Sequence, residues 1–275
     1  MTTVTKSDII RAIKELGITE TDSFIFHSSL KSMGHVEGGA DTVIDAFLEC
    51  VKDGTLIAPT LCQKDWDHVY ENWHMDADSD VGYITNVLRK RPNAYRSNQA
   101  THSVAAIGKD AKYLTETHGE TGKRPGIFGD TPFSADSPWE KMYKMNTKIV
   151  FVGVDSRSCT FRHYAEYVFI EDCLNFLKGR PEYEEMKNQL WYYAGPMSRW
   201  PHIDTVPLFE YLKARGDVKE SKCGDATFMC VDSQLITAEC METMEQVKEE
   251  FLWDLKIFYP ETLEWLRRIK EMRGK

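Results

Sequence analysis

No run in the 275-residue chain approaches the roughly 20 consecutive apolar residues that a membrane-crossing helix needs. The opening residues, MTTVTKSDIIRAIKELG, carry neither the basic start nor the apolar core of a secretory leader. The cysteines stand at 50, 62, 159, 173, 223, 230 and 240, an odd set with no C-x-x-C pair. Scattered thiols without a leader point to reduced cysteines and a cytoplasmic protein, with no membrane partner. Positive charge is also short: 34 Lys and Arg against 43 Asp and Glu leave a net charge of −9. Duplex nucleic acid is bound by the opposite sign, so that class of partner is not expected. A cationic small molecule suits the balance better.

Several motifs are missing as well. The glycines at 34, 38 and 39 fit neither a G-x-G-x-x-G fingerprint nor a P-loop. No H-E-x-x-H is present, and His68 and His74 stand among acids without metal-ligand spacing, so no metal is expected. Neither Ser28 nor Ser29 sits in a G-x-S-x-G elbow, which speaks against a serine hydrolase. There is no repeat, low-complexity tract or linker, which predicts one domain over residues 1–275.

What is present reads as α/β grammar. Residues 5–16 place Ile9, Ile10, Ile13 and Leu16 at helical spacing. Residues 22–27 form a short buried strand, 40–51 a helix and 55–59 a second strand. Further strands are expected at 103–107 and 148–154, with helices at 81–89, 109–115, 138–145 and 160–169. Beyond residue 155 the chain becomes more elaborate. Helices are expected at 206–215, 241–251 and 261–272, with a hairpin of 227–231 and 234–238 turning at Asp232-Ser233. The pattern implies a mixed central sheet with flanking helices and a C-terminal half holding a β-hairpin and helices. Residues 63–80 are long, aromatic, acidic and without period, as functional loops are. Trp191, Tyr192 and Tyr193 could fill the core, pack on a sugar ring or form a contact between two copies.

Three constellations bear chemistry. His27-Ser28-Ser29-Leu30-Lys31-Ser32 follows a buried strand and precedes Gly34, Gly38 and Gly39. Ligands of open α/β sheets bind at such strand ends, and a helix start beyond glycines favours phosphate. The residues serve equally as a capped strand-to-helix turn. Arg96-Ser97 with His102-Ser103 offers a forked phosphate donor, or a solvated loop. His163 and Glu166, at i and i+3, share a helix face with Thr160 one turn earlier. A carboxylate beside an imidazole raises its basicity and fixes its tautomer, as a general base requires.

In order along the chain, several segments together resemble the aminoglycoside 3-N-acetyltransferase (antibiotic N-acetyltransferase) family. They are His27-Ser28-Ser29-Leu30-Lys31-Ser32, Val36-Glu37-Gly38-Gly39-Ala40, Ala58-Pro59-Thr60, Ser79-Asp80-Val81-Gly82, Arg96-Ser97, Ser137-Pro138-Trp139, Val152-Gly153-Val154 and Thr160-Phe161-Arg162-His163-x-Ala165-Glu166. The likeness is strong over about residues 5–170 and loose beyond. Where the family usually has His-Pro after Arg-Ser, this chain has Gln99-Ala100, with His102 just before Ser103.

The resemblance implies a fold distinct from the general N-acetyltransferase superfamily, with acetyl-CoA as donor. It implies donor-binding elements mainly at 24–108, including Ser28, Ser29, Leu30, Lys31, Ser32, Arg96, Ser97 and Ser103. It implies catalytic and acceptor elements mainly at 155–240, with His163 as the catalytic histidine and Glu166 as its partner. The acceptor would be a cationic amine, an aminoglycoside acylated at its 3-amino group or another small amine. Asp65, Asp67, Asp76, Asp155, Thr160 and Asp204 are candidates for its groove, and a homodimer is left open. The reaction then needs the imidazole at 163 to meet a thioester held past residue 27.

Overall fold

The computed structural model describes residues 2–65, 68–118, 131–190, 199–253 and 260–274. The chain divides into two compact units: Met1–Ser158 with Leu212–Gln234, and Cys159–Tyr211 with Leu235–Lys275. Among the described residues no helix is long and apolar enough to cross a membrane.

The first unit is built on a mixed seven-stranded sheet. Its strands are β2 (Ser23–Ser28), β4 (Thr55–Pro59), β5 (Tyr95–Arg96), β6 (Val104–Gly108), β7 (Lys148–Val152), β8 (Lys219–Cys223) and β9 (Ala226–Asp232), in the spatial order β5-β6-β4-β2-β7-β9-β8. β2 runs parallel to β4 and β7, and the outer pairings are antiparallel. A separate parallel pair joins β1 (Thr3–Val4) to β3 (His35–Val36).

Helices α1 (Lys6–Glu15), α2 (Gly39–Cys50) and α4 (Tyr83–Arg89) bury their apolar stripes on one sheet face. Thr5 opens α1 with a capping box: its hydroxyl accepts from the Asp8 N–H, and the Asp8 carboxylate accepts from the Thr5 N–H. Phe24 and Phe26, two apart on β2, both meet Phe47 edge-on, at centroid distances of 5.4 and 5.3 Å. Strand alternation therefore sends Ile25 and His27 to the opposite face. The short helices α3 (Val69–Asn72), α5 (Ala111–Thr115) and α6 (Pro138–Lys144) complete this unit up to residue 158.

The expected hairpin exists, but one strand earlier. β8 and β9 turn at Gly224-Asp225, with Gly224 at φ 56°, and the segment expected as its second arm is instead the start of helix α10 (Ser233–Gln246). A two-residue Gly-Asp loop with positive φ fits the twist of paired strands. Ser233 closes the sheet-to-helix step, its N–H donating to Thr147 O at 3.0 Å.

The second unit is helical. α7 (Phe161–Leu177) runs eight residues past the expected end, because Phe169, Ile170, Cys173, Leu174 and Leu177 continue a buried stripe. α8 (Tyr183–Gln189) follows, then the start of α9 (Thr205–Arg215), the body of α10 and the helix Pro260–Met272. An isolated antiparallel bridge pairs Ile203 with Leu252. Trp191, Tyr192 and Tyr193 lie outside the described residues.

Candidate active site

In the first unit, the parallel strands β4, β2 and β7 end at one sheet edge, where antiparallel β6 begins. All eight donor-side residues expected from sequence are found along this edge. Residues 28–32 leave β2 and enter a single 3-10 turn, Leu30–Met33. The Ser29 N–H donates to Val152 O at 3.0 Å, and the Ser32 hydroxyl donates to Ser29 O at 2.7 Å. Gly153, with φ 63°, allows this close fold, since a Cβ there would overlap the Ser32 side chain. Ser28, Ser29 and Leu30 are half-buried and Lys31 is exposed.

The other three are more deeply engaged. Ser103 is buried, its hydroxyl donating to Thr60 O at 2.9 Å and lying 2.8 Å from Thr60 Oγ1. Ser97 is buried between the Val104 N–H at 2.9 Å and His118 Nδ1 at 2.8 Å. His118 Nε2 donates to Pro132 O at 2.9 Å, which leaves Nδ1 to accept the Ser97 proton. The Arg96 guanidinium donates to Met75 O at 2.8 Å, Ala77 O at 2.6 Å and Thr60 O at 2.8 Å, and lies 4.6 Å from the Trp73 ring centre. Its fork thus fastens the long acidic segment to β5. Trp73 adds a bond from Nε1 to Asn98 Oδ1 at 2.9 Å.

The departure at Gln99-Ala100 is a structural element of this edge. Gln99 Oε1 accepts the His102 N–H, and the His102 carbonyl accepts Trp139 Nε1 at 3.0 Å. The His102 ring is buried against Phe133, 4.8 Å between centroids. Of the acceptor candidates in this unit, Asp65 is exposed and 3.1 Å from His68 Nδ1, and Asp155 is exposed and paired with Arg157 at 2.7 Å. Asp67 lies outside the described residues, and Asp76 is exposed.

The second unit holds the His163–Glu166 pair. His163 Nδ1 is 3.0 Å from Glu166 Oε2, on consecutive turns of α7. Glu166 is completely buried. Its Oε2 also accepts Trp200 Nε1 at 3.2 Å, and Oε1 accepts the Ile203 N–H at 3.0 Å. His202 Nδ1 stands 3.9 Å from Oε2. Burial alone would raise the Glu166 carboxyl; the charge and hydrogen bond of His163, joined by His202 and Arg162, outweigh it and hold it down at about 2. An ionised carboxylate can only accept, so His163 Nδ1 donates to it, and the Arg162 Nε–H directed at Nε2 from 3.4 Å makes the second ring nitrogen an acceptor.

Thr160 is buried at the head of α7, its carbonyl accepting the His163 N–H at 3.0 Å. Asp204 is half-buried and its Oδ1 accepts the Val206 N–H at 3.0 Å, capping α9. Sequence spacing missed the groups that fix Glu166 from outside α7. Trp200, His202 and the Ile203 backbone lie more than 30 residues downstream and reach it only through the fold.

The family model for aminoglycoside 3-N-acetyltransferases matches residues 25–245. The chain belongs to that family. Aminoglycoside N(3)-acetyltransferase VII of Streptomyces paromomycinus is 29% identical over 182 residues, covering 59% of this chain and 60% of that protein. The chain spans 60–65% of the length of the first curated relatives it matches. Among solved structures, aminoglycoside acetyltransferase AAC(3)-IVa without ligand aligns with a TM-score of 0.70 at 19% identity, over 97% of this chain and 98% of that one. AAC-IIIb in a binary complex with CoASH aligns at 0.65 and 18%, over 90% and 98%. The α/β fold is therefore that of these enzymes, distinct from the general N-acetyltransferase superfamily.

Proposed function

We propose that this chain transfers the acetyl group of acetyl-CoA to the 3-amino group of an aminoglycoside. The observation that carries the reading is the Glu166–His163 pair, with His163 Nδ1 3.0 Å from a completely buried carboxylate. Membership of the family supplies the reaction class. The CoASH complex of a structural neighbour supports the choice of donor.

An amine at neutral pH is largely ammonium and cannot attack. In the proposed step the neutral nitrogen attacks the thioester carbonyl carbon and gives up its proton to His163 Nε2. The C–S bond then breaks, and the proton passes to the departing thiolate, leaving an amide and CoASH. Positioned general-base help of this kind is typically worth about 10²–10⁴-fold. Glu166 holds the ring and balances the imidazolium that forms. On this reading the 28–32 turn and Ser103 bind acetyl-CoA, and Asp204 binds the amine.

The test incubates the full chain with acetyl-CoA and kanamycin, gentamicin and neomycin types, following thiol release and product mass. Acetylated aminoglycoside is expected, and its loss in His163→Gln. If CoA binds but no member of the panel is acetylated, the acceptor is another small amine, and a panel of simple amines with the same readout identifies it.

A further inference from the structure

Beside the base lies a cation that the mechanism has not used. Arg162 Nε donates to His163 Nε2 at 3.4 Å, and its Nη1 donates to Ile203 O at 3.3 Å. Its guanidinium carbon lies 5.7 Å from the centre of the Trp253 ring. Arg162 is half-buried, and among the described residues it has no carboxylate within ion-pair distance. Trp253 is held there by its own N–H, which donates to His202 O at 3.0 Å.

This placement bears on a difficulty in any buried His–Glu pair. An ionised carboxylate in a dry site attracts a second proton onto the imidazole as strongly as it orients the first. A doubly protonated ring has no lone pair and cannot act as a base. The site needs a nearby fixed positive charge to oppose that second proton without taking the Nδ1 bond. We propose that Arg162 is a positioning residue that keeps His163 in its singly protonated, Nε2-open form. The inference rests on the acyl-transfer reading only for its kinetic consequence; the state of the ring is a property of the unliganded protein.

Among the described residues, the thiols and the second imidazole near this centre do not supply the charge. His202, on the segment after Trp200, is pushed toward the neutral form by burial, against the pull of Glu166. The Cys159 thiol at the head of α7 is pushed up to about 11 by burial, and burial also raises that of Cys240 on α10, so both stay uncharged. Arginine remains cationic across the working range. Its contact with Nε2 is long for a hydrogen bond, so an incoming amine can displace it while Ile203 O and the indole face retain the guanidinium.

The experiment reads ring-nitrogen shifts of His163 by ¹⁵N NMR across pH, in the full chain, with His163→Gln assigning the signal. The comparison is wild type against Arg162→Gln and Arg162→Lys. The wild type is expected to show the Nδ1-protonated tautomer. Arg162→Gln should move the second protonation of the ring upward by about one pH unit or more, and Arg162→Lys should restore most of the difference. In parallel, the acid limb of kcat/KM should move by the same amount in Arg162→Gln. An unchanged titration in a folded Arg162→Gln protein overturns the proposal, whether or not the chain is active. A missing acetyl transfer in the wild type overturns only the function proposed above.

Discussion

At the scale of single residues, Glu166 carries the most weight. It is an entirely buried anion that accepts hydrogen bonds from His163, Trp200 and Ile203. Glu166→Ala removes the acceptor of the Trp200 indole N–H and of the Ile203 N–H and should cost about 3–5 kcal/mol in urea unfolding. Glu166→Gln keeps the volume, should cost less, and should lower kcat well beyond KM, because the amide no longer balances an imidazolium. The same carboxyl ties stability to pH. Its folded value of about 2 lies below the ordinary 4.5, so its contribution is fully present above about pH 4.5 and fades as pH falls toward 2. His27 acts earlier in the same direction. It is buried against Phe151 with no partner for Nε2, and burial lowers it to about 4. The unfolded chain therefore takes that proton first, and stability falls as pH drops from about 6.5 to about 4. His27→Leu should flatten the urea midpoint between those two pH values while changing it little at pH 7; an unchanged slope would refute this.

At the scale of elements, the two close approaches at the sheet edge make separate predictions. Gly153→Ala forces a positive φ on a residue with a Cβ and drives that carbon into Ser32. It should cost about 1–3 kcal/mol and weaken CoA binding in calorimetry, since the 28–32 turn is what moves. Gly224→Ala meets Met33 O and Val4 in the same way, but at the β8–β9 turn, and should cost stability without altering CoA affinity. Much of the architecture was readable from short-range pattern. β2, β4, β6 and β7 and the helices α1 and α2 follow alternation and i, i+3, i+4 spacing closely. The apolar run 227–231 suits either arm of a hairpin, so sequence pattern places the turn at Asp232-Ser233, whereas the structure turns at Gly224-Asp225. α7 was cut short because Glu171 and Asp172 interrupt the stripe, and only packing along Cys173, Leu174 and Leu177 carries the helix on. The His163–Glu166 pair was legible because it is local. Trp200 and His202 around it were not, since they reach Glu166 only through the fold; Arg162 adjoins His163 in sequence, but its anchors at Ile203 and Trp253 are set by the fold as well.

At the scale of the whole molecule, a net charge of −9 meets a proposed polycationic acceptor. Raising ionic strength from about 0.05 to 0.5 M shortens the screening length several-fold. KM for the aminoglycoside should then rise several-fold while kcat changes little, as measured by thiol release under saturating acetyl-CoA. A salt-independent KM would mean that the acids lie away from the acceptor. The account as a whole stands on a base at His163 serving acetyl transfer. The most direct measurement is mass spectrometry of the products formed from acetyl-CoA and an aminoglycoside panel by wild type and by folded His163→Gln. A gain of one acetyl group per acceptor with the wild type, reduced at least about 100-fold in the variant, is the predicted result. Equal acetylation by both proteins would contradict it.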